Sequence, residues 1–274
     1  MIDFHTHIFP EKIADKTIAH LSEICHMPPY TNGKEEGLLA SAKNAGIDQC
    51  IILPVATAPR QFDSIHRFAL NFLEGDFISF GSIHPDCDDY KEKLRWIKEN
   101  GFKGVKFHPD YQETYFNDIK YKRIISYASE LDLITVTHAG RDPLSPNDVH
   151  CTPKMIEEML DEVQPKNLVL AHMGGNEMFD EVEDRLVGRD VYFDTAYVLD
   201  KMDSQQFLRM VRNHGVEKIL FGSDSPWGGQ KEFVEVFNQL PLTEDERSKI
   251  AYENTKRLPC KDFEQKIVDA GLDA

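Results

Sequence analysis

The feature of this chain that most restricts its fold is a regular alternation of short apolar runs and helical patterns. The runs typical of β-strands are Ile2–Ile8, Gln49–Val55, Phe77–Ile83, Gly104–Phe107, Leu133–Thr137, Leu168–Ala171, Val191–Phe193 and Ile219–Phe221. The helical patterns are Lys34–Ala45, Gln61–Glu74, Asp88–Asn100, Asn117–Leu131, Thr152–Val163, Glu177–Val187, Ser204–Asn213 and Lys231–Gln239. A strand followed by a helix, repeated at this spacing, predicts parallel strands with right-handed crossovers. Eight such units in about 250 residues predict an α/β fold of the (β/α)₈ TIM-barrel type.

An open, doubly wound sheet is the alternative architecture. It usually carries a Gly-rich phosphate-binding turn after the first strand, whereas here that position reads Ile8-Phe9-Pro10. No linker or low-complexity segment interrupts the pattern, so we predict one domain over residues 1–274.

Two segments lie outside the repeat. Phe9–Asn32, after the first strand, predicts an inserted helix and loop, which is either a lid over the barrel mouth or a surface insertion. Leu242–Leu258 and Lys261–Ala270 predict extra C-terminal helices, and Thr243–Glu246 resembles a capping box. We also expect Asn117 to cap the fourth helix, and Asp203 or Ser204 the seventh.

Composition excludes several classes of partner. The formal net charge is −16 and no Lys/Arg cluster is visible, so we expect neither nucleic acid nor an anionic membrane surface to bind. No apolar run approaches the roughly 20 residues that span a bilayer, and we expect a cytoplasmic protein. The five cysteines are scattered, which predicts free thiols. A small-molecule substrate is the expected partner, and a homodimer is compatible with the sequence.

The first strand carries the strongest chemical signal. Successive strand residues point to opposite faces, so Asp3, His5 and His7 share one face, and we expect the two imidazoles to stack side by side. Two imidazoles on a rigid strand form half of a zinc or transition-metal site. Alone this is a weak signal, because most strand histidines are satisfied by ordinary hydrogen bonds.

Other strand ends supply further candidates, and in a barrel the carboxyl ends of the strands meet at one face. The side chains at or just beyond these ends are Lys106, His108, His138, Arg141, His172, Asp224 and Trp227. A mouth crowded with unpartnered imidazoles would be costly, whereas a shared metal ion would satisfy them. The sequence therefore predicts a metal site.

We expect His5, His7, His138 and Asp224 to bind one divalent ion, most suitably Zn²⁺, with iron or manganese as alternatives. The second oxygen of Asp224 could take a proton from metal-bound water and return it to a leaving group. His172 would bind a second metal or hold a substrate oxygen.

The remaining candidates are substrate-binding residues. Lys106 has three interpretations: a carbamate bridging to a second metal ion, a substrate clamp, or an interior lysine paired with a carboxylate. Arg141 could bind a substrate carboxylate through its guanidinium, His108 could contact substrate or simply pack, and Trp227 could form an apolar wall of the pocket.

At this point the chain resembles the amidohydrolase superfamily, and more narrowly the amidohydrolase-2 branch, which includes aminocarboxymuconate-semialdehyde-decarboxylase-like enzymes. The matching pieces are Asp3–His7, Gly101–Pro109, Thr137–Gly140, Ala171–Gly175 and Phe221–Trp227, in the family's order. The resemblance implies a distorted (β/α)₈ barrel and metal ligation by the residues matching His5, His7, His138 and Asp224. It implies a non-ligand role for His172 in single-metal members. The absence of a glutamate at the fourth strand departs from TatD-like nucleases.

The resemblance leaves the reaction open. Our first expectation is metal-dependent hydrolysis of a small amide, lactone or ester by metal-activated water. The alternative is non-oxidative decarboxylation, or hydration, of a small unsaturated or aromatic carboxylic acid. Decarboxylation predicts a basic clamp near the metal, for which Arg141 or Lys106 would serve.

Overall fold

Nine short strands form the centre of the molecule in the computed structural model, which describes residues 1–258. They are β1 (Ile2–Thr6), β2 (Gln49–Ile52), β3 (Phe77–Ser79), β4 (Gly81–Ser82), β5 (Gly104–Phe107), β6 (Ile134–Thr137), β7 (Leu168–Leu170), β8 (Tyr192–Asp194) and β9 (Ile219–Leu220). All strand pairs are parallel, in the orders β1-β2-β3 and β4-β5-β6-β7-β8-β9.

The helices follow the strands as the sequence pattern predicts. They are α1 (Glu11–Cys25), α2 (Glu35–Ala45), α3 (Phe62–Ala69), α4 (Tyr90–Glu99), α5 (Ile119–Glu130), α6 (Pro153–Val163), α7 (Phe179–Arg185), α8 (Ser204–His214), α9 (Gln230–Gln239), α10 (Glu244–Ser248) and α11 (Asn254–Arg257). The predicted α/β architecture is confirmed. The predicted terminal helix over Leu242–Leu258 is present as a continuous helical stretch, residues 244–257, in which a π-helical turn at Lys249–Glu253 joins α10 to α11.

Backbone hydrogen bonds connect the two sheets at both of their edges. β3 and β4 are consecutive parts of one predicted strand, and Phe80 between them donates its N–H to the Ile52 carbonyl at 2.9 Å. At the other edge, the Phe4 N–H donates to the Phe221 carbonyl at 2.8 Å, and Thr6 pairs with Ser225. The segment after β9 therefore lies beside β1, as in a (β/α)₈ barrel.

Apolar side chains fill the space inside the strands, and the helices pack around them. The inner cluster includes Phe4, Phe80, Val136 and Leu220, all fully buried. Asn254 closes the bottom, because its side-chain amide donates to the Val216 and Ile219 carbonyls at 2.8 and 2.7 Å. The opposite end, where the strands finish, is left to polar side chains.

The helix-capping predictions are mostly confirmed. Asp203 accepts from two backbone N–H groups at the start of α8, and Thr243 with Glu246 forms the predicted capping box. The prediction for Asn117 was wrong by one residue, because Asp118 accepts from the Lys120 N–H at 2.8 Å. Asn117 instead donates to Glu158.

The insertion after β1 contacts the loops at the barrel mouth. The Tyr197 hydroxyl, beyond β8, donates to the Met27 sulfur at 2.6 Å, and the Tyr30 N–H donates to the Pro226 carbonyl at 2.8 Å. This position favours the lid interpretation over that of a remote surface insertion. The predicted helix Lys261–Ala270 lies outside the described residues, and no described helix is both long and apolar enough to cross a bilayer.

His66 gives the fold a predictable sensitivity to acid. It lies among Phe62, Trp96 and Phe102, with Nδ1 donating to the Phe62 carbonyl at 2.7 Å and Nε2 accepting from the Ser82 N–H at 3.3 Å. Burial lowers the pKa of His66 from 6.5 to about 4. The unfolded chain therefore binds the extra proton first, and stability falls as pH decreases from about 6.5 to about 4.

We expect this histidine to contribute about 3 kcal/mol to that loss. The His66→Gln variant lacks this titrating group. The amount by which the parent is more stable than the variant should therefore be smaller at about pH 4 than at about pH 7.5, by a similar number of kcal/mol. Urea unfolding of chelator-treated protein at both pH values measures it. Parallel pH curves for parent and variant would contradict the assignment.

Candidate metal centre at the carboxyl ends of the strands

The two histidines of β1 have their ring orientations fixed by hydrogen bonds. His5 Nδ1 lies 2.8 Å from Asp194 Oδ2, and His7 Nδ1 lies 2.8 Å from the Leu53 carbonyl oxygen. A carbonyl can only accept, so His7 Nδ1 carries the proton and its Nε2 presents a lone pair. The Asp194 carboxylate fixes His5 in the same tautomer. The rings lie edge to face at 5.0 Å and 70°, so the expectation that they stack was wrong.

Asp224 completes a three-residue cluster with these histidines. Its Oδ1 lies 3.1 Å from His7 Nε2 and 3.4 Å from His5 Nε2. Three acceptor atoms thus face one another, and Lys106 Nζ is the donor nearest to His5 Nε2, at 3.2 Å. A cation between the three atoms would remove the repulsion that remains. Two imidazole nitrogens and a carboxylate oxygen are donors suited to a divalent ion such as Zn²⁺.

Asp3 shares the face of β1 with the histidines but does not join the cluster. Its carboxylate accepts from the Ser223 N–H and hydroxyl at 2.9 and 2.5 Å, and from the Gln230 amide at 2.8 Å. Burial raises its pKa to about 6. Asp3 therefore ties β1 to the turn that carries Asp224, which itself adopts a positive φ of 69°.

His172 and His138 form a second hydrogen-bonded pair beside the cluster. His172 Nδ1 donates to the Ala196 carbonyl at 2.9 Å, so its Nε2 accepts, and His138 Nδ1 lies 3.0 Å from that Nε2. Burial lowers the pKa of His138 to about 3 and that of His172 to about 4, which keeps both rings neutral. His138 Nε2 is consequently a lone pair, and it has no hydrogen-bond partner in the described chain.

The structure thus brings together three of the four predicted metal ligands. His5, His7 and Asp224 have donor atoms within 4.8 Å of one another, whereas His138 groups with His108 and Asp142. His172 lies between the two groups, with its ring 5.3 Å from that of His5 and 4.8 Å from that of His138.

Lys106 lies at the centre of the site and is 1% exposed. Its Nζ is 3.2 Å from His5 Nε2, and no carboxylate of residues 1–258 lies within 4.0 Å of it. Burial lowers the pKa of Lys106 to about 8, while Asp194 and Asp224 act in the opposite direction. Lys106 therefore has no carboxylate to pair with among residues 1–258, which argues against its interpretation as an interior lysine in an ion pair.

The other predicted substrate-binding residues have different positions. His108 is buried, and its ring stacks on those of Tyr111 and His138. Trp227 is partly buried, and its backbone N–H donates to the backbone carbonyl of Asp224. Arg141 is exposed, and its guanidinium makes no hydrogen bond or ion pair within residues 1–258. Arg141 therefore makes no hydrogen bond or ion pair with His5, His7 or Asp224 in the described part of the chain.

Three buried aspartates were missed by the sequence analysis. Asp194 ends β8 and accepts from His5 Nδ1 and from the backbone N–H groups of His172 and Ala196. Its position at the end of a strand was a usable signal. Asp110 and Asp142 lie in loops, where no motif distinguishes them from surface carboxylates.

Asp194 is a positioning residue for His5, and we expect Asp194→Asn to weaken metal binding by about 10- to 100-fold. The asparagine oxygen can still accept from the backbone, so its amide N–H₂ would face His5 Nδ1 and favour the wrong tautomer. Competition with a chromophoric chelator measures the affinity. Asp190→Asn removes an exposed carboxylate near the same strand and should leave affinity unchanged; equal affinities in both variants would reject the role.

Comparison with known proteins adds a family to this geometry. A family model described as amidohydrolase matches residues 2–258. The chain belongs to the amidohydrolase family. The match lies in the amidohydrolase-2 branch, as the motifs predicted, and no curated protein sequence matched the chain.

Solved structures resemble this amidohydrolase over nearly its full length. The 5-carboxyvanillate decarboxylase of Sphingomonas paucimobilis has 15% identity and a TM-score of 0.74, covering 94% of this chain and 98% of the other. A dihydroxybenzoic acid decarboxylase from a Polaromonas species, with bound manganese and an inhibitor, has 15% identity, a TM-score of 0.67 and coverage of 94% and 96%. A putative 2-pyrone-4,6-dicarboxylic acid hydrolase of Pseudomonas putida has 14% identity, a TM-score of 0.65 and coverage of 94% and 96%. At these identities they support the barrel fold.

Proposed function

We propose that this amidohydrolase-family protein is a metal-dependent, non-oxidative decarboxylase of a small aromatic or unsaturated carboxylic acid. The observation that carries the proposal is a cluster of donor atoms suited to a cation, next to a buried amine with no carboxylate within 4.0 Å among residues 1–258. His5, His7 and Asp224 would hold the metal, and Lys106 lies 3.2 Å from His5 Nε2. Two adjacent positive groups suit a substrate carboxylate.

The metal ion that His5, His7 and Asp224 would hold contributes to the reaction through its charge. When bound, the divalent ion would supply a fixed positive charge that orients the substrate acid. The nitrogen-rich donor set favours Zn²⁺, while Mn²⁺ is bound by one structural neighbour. We expect metal analysis of purified protein to give about one equivalent of divalent ion. His138 would not belong to the three-residue cluster. It would lie next to the ion's surroundings because it is hydrogen bonded to His172.

The chain's own residues would then handle the proton. In decarboxylation the bond between the ring or alkene carbon and the carboxyl carbon breaks, CO₂ leaves, and a proton takes the electron pair left on the carbon. An aspartate is ordinarily a carboxylate at neutral pH, and Asp224 Oδ2 makes no hydrogen bond in the described chain. It can take a proton from water or from an acidic group of the substrate and return it to that carbon. Lys106 would hold the carboxylate until the bond breaks.

Hydrolysis of a lactone, ester or amide is the second candidate. It needs the same donor cluster and uses Asp224 as the base towards water. A putative hydrolase among the structural neighbours supports it. Hydrolysis of a lactone, ester or amide does not by itself require a carboxylate for Lys106 to bind, whereas decarboxylation always does, which is why decarboxylation is preferred.

The test is CO₂ release from a panel of hydroxybenzoates, carboxyvanillate and unsaturated diacids by protein loaded with Zn²⁺ or Mn²⁺. We expect at least one acid to release CO₂ in a chelator-sensitive reaction. A parallel panel of lactones, esters and amides is assayed with the same preparation. Turnover of the second panel, with no CO₂ from the first, would replace decarboxylation by hydrolysis.

A further inference from the structure

Two buried polar atoms beside the metal centre face each other without a hydrogen-bond partner. They are His138 Nε2 and Asp110 Oδ2, which lie 3.9 Å apart. The residue His138 is 4% exposed and Asp110 is 2% exposed. Within residues 1–258 neither atom has a partner, and a buried polar atom left unpaired costs free energy. The close approach of two such atoms indicates that a proton, a water molecule or a cation belongs between them.

The hydrogen bonds of the structure place the ring proton of His138 on Nδ1. His172 Nδ1 donates to the Ala196 carbonyl at 2.9 Å, so His172 Nε2 is an acceptor. His138 Nδ1 lies 3.0 Å from that Nε2 and must donate to it. The remaining nitrogen of His138, Nε2, is then a lone pair that faces a carboxylate oxygen. This tautomer satisfies His172 but leaves two buried acceptors facing each other.

The other tautomer of His138 reverses this balance. With the proton on Nε2, the ring has a donor that faces Asp110 Oδ2, and a shift of about 1 Å would bring the two atoms within hydrogen-bond distance. Nδ1 then becomes a lone pair on the side of His172, whose ring lies 5.3 Å from that of His5. The lone pairs of His138 Nδ1 and His172 Nε2 would repel each other unless a cation is near. A cation at the cluster and the Nε2–H tautomer therefore stabilise each other.

Asp110 is held in the orientation that this tautomer requires. Its Oδ1 accepts from the Ser145 hydroxyl and from the backbone N–H and Nδ1 of His150, the last two at 3.2 Å. Three donors at one oxygen fix the carboxylate and leave Oδ2 as the atom that faces His138. Asp110 follows β5 and His138 follows β6, which are neighbouring strands of one sheet. The contact therefore joins two adjacent strand ends.

The two histidines of β1 already show the same arrangement. His5 has a carboxylate oxygen and His7 a backbone carbonyl, each 2.8 Å from Nδ1. In each ring the nitrogen away from the cluster has an acceptor, which fixes the tautomer and directs the other nitrogen to the cluster. Metal-bound histidines usually have such an acceptor. Asp110 would supply the equivalent acceptor to His138, with the roles of the two ring nitrogens exchanged.

We propose that Asp110 is a positioning residue for the metal centre, because its Oδ2 accepts from His138 Nε2–H and thereby directs His138 Nδ1 to the ion bound by the three-residue cluster. The proposal deepens the proposed function and rests on it only for the presence of that ion. The carboxylate supplies the acceptor, and the imidazole adds a fourth donor beside the cluster. The position of the ring proton on His138 then reports whether the ion is bound.

The first measurement reads the tautomer of His138 directly. Two-bond proton–nitrogen correlation spectra of protein labelled with nitrogen-15 in its histidines are recorded with and without Zn²⁺. The signals of His138 are identified by their loss in His138→Gln. With Zn²⁺ bound, we expect a protonated Nε2 and an unprotonated Nδ1. A proton that stays on Nδ1 would overturn the proposal and leave a bridging water molecule as the explanation of the pair. This result needs no variant of Asp110, so it stands even if such variants do not fold.

Two substitutions of Asp110 separate positioning from packing. Asp110→Ala removes the acceptor and should weaken Zn²⁺ binding by about 10- to 100-fold. Asp110→Asn keeps the shape, but its oxygen is taken by the donors that hold Asp110 Oδ1. Its amide would therefore donate to His138 Nε2 and fix the Nδ1–H tautomer. We expect the asparagine variant to bind Zn²⁺ no more tightly than the alanine variant.

Competition with a chromophoric chelator measures these affinities. The matched control is Asp148→Asn, which changes an exposed carboxylate beside His150 and should keep the parent affinity. Parent affinity in Asp110→Ala, or a milder loss in Asp110→Asn than in Asp110→Ala, would make Asp110 a packing residue and overturn the proposal. Two equivalents of Zn²⁺ in the parent, one of them lost in both Asp110 variants, would instead place a second ion between His138 and Asp110.

The outcomes also separate this proposal from the proposed function. CO₂ release by a protein whose His138 keeps its proton on Nδ1 would reject only the positioning role. The expected tautomer and affinities without CO₂ release from any acid would uphold the positioning role and reject decarboxylation. A parent protein that binds no divalent ion would reject the metal centre and the role of Asp110 together.

Discussion

Asp224→Asn is expected to lower kcat by about 10²- to 10⁴-fold on whichever acid the decarboxylation panel identifies. The amide cannot carry the proton that replaces CO₂, while its oxygen can still face His5 and His7. Metal content should therefore be largely retained. Because proton transfer and metal binding would otherwise be confused, kcat is measured at saturating metal, with the bound ion quantified in the same sample.

The matched control for this variant is Asp200→Asn, which changes an exposed carboxylate in the loop after β8. It should leave kcat within about twofold of the parent, as is usual for a surface position. An unchanged kcat in Asp224→Asn would remove the proton-carrying role. A loss of activity that merely follows a loss of metal would restrict Asp224 to ligation.

Gly140→Ala is expected to reduce the free energy of unfolding by at least about 3 kcal/mol. Gly140 has a φ of 86°, and an added Cβ would lie 2.1 Å from the Asn176 nitrogen and 2.4 Å from its carbonyl oxygen. These are backbone atoms of the bridge that joins the loops after His138 and His172. The bridge must therefore break or shift, and both histidines with it.

Gly188→Ala measures the cost of a positive φ alone, without a close contact to the added methyl group. Gly188 has a φ of 84°, but no atom lies within 4 Å of the position that an added methyl group would take. We expect a cost of roughly 1 kcal/mol there, which is the cost of placing a side chain in the left-handed region. Thermal unfolding of both variants gives the comparison. Equal losses would show that the close approach of Gly140 to Asn176 is not a constraint.

The sequence was sufficient for the architecture and for much of the site. Strand-and-helix periodicity predicts parallel strands, and parallel strands in a barrel oblige their carboxyl ends to meet. His5, His7 and Asp224 could therefore be placed together although more than 200 residues separate them. Lys106 could be placed among them for the same reason.

The direction in which each side chain points could not be predicted in the same way. His172 and Asp224 have positive φ values of 58° and 69°, and such turns aim side chains away from the simple alternation of a strand. In addition, His138 groups with His108 and Asp142, and Asp3 braces the Asp224 turn instead of joining the cluster. Asp142 depends on a loop that Asp110 holds, and no local pattern in the sequence encodes that contact.

The pairing of β1 with the segment after β9 also bears on the order of events during synthesis. His5 and His7 leave the ribosome before Asp224 does. Asp224, and the Ser223 and Gln230 side chains that hold Asp3, emerge more than 200 residues later. A nascent chain that ends before Ser223 has the imidazoles without the carboxylate that faces them. Stable binding of an ion by this cluster would therefore require that Asp224 has been synthesised.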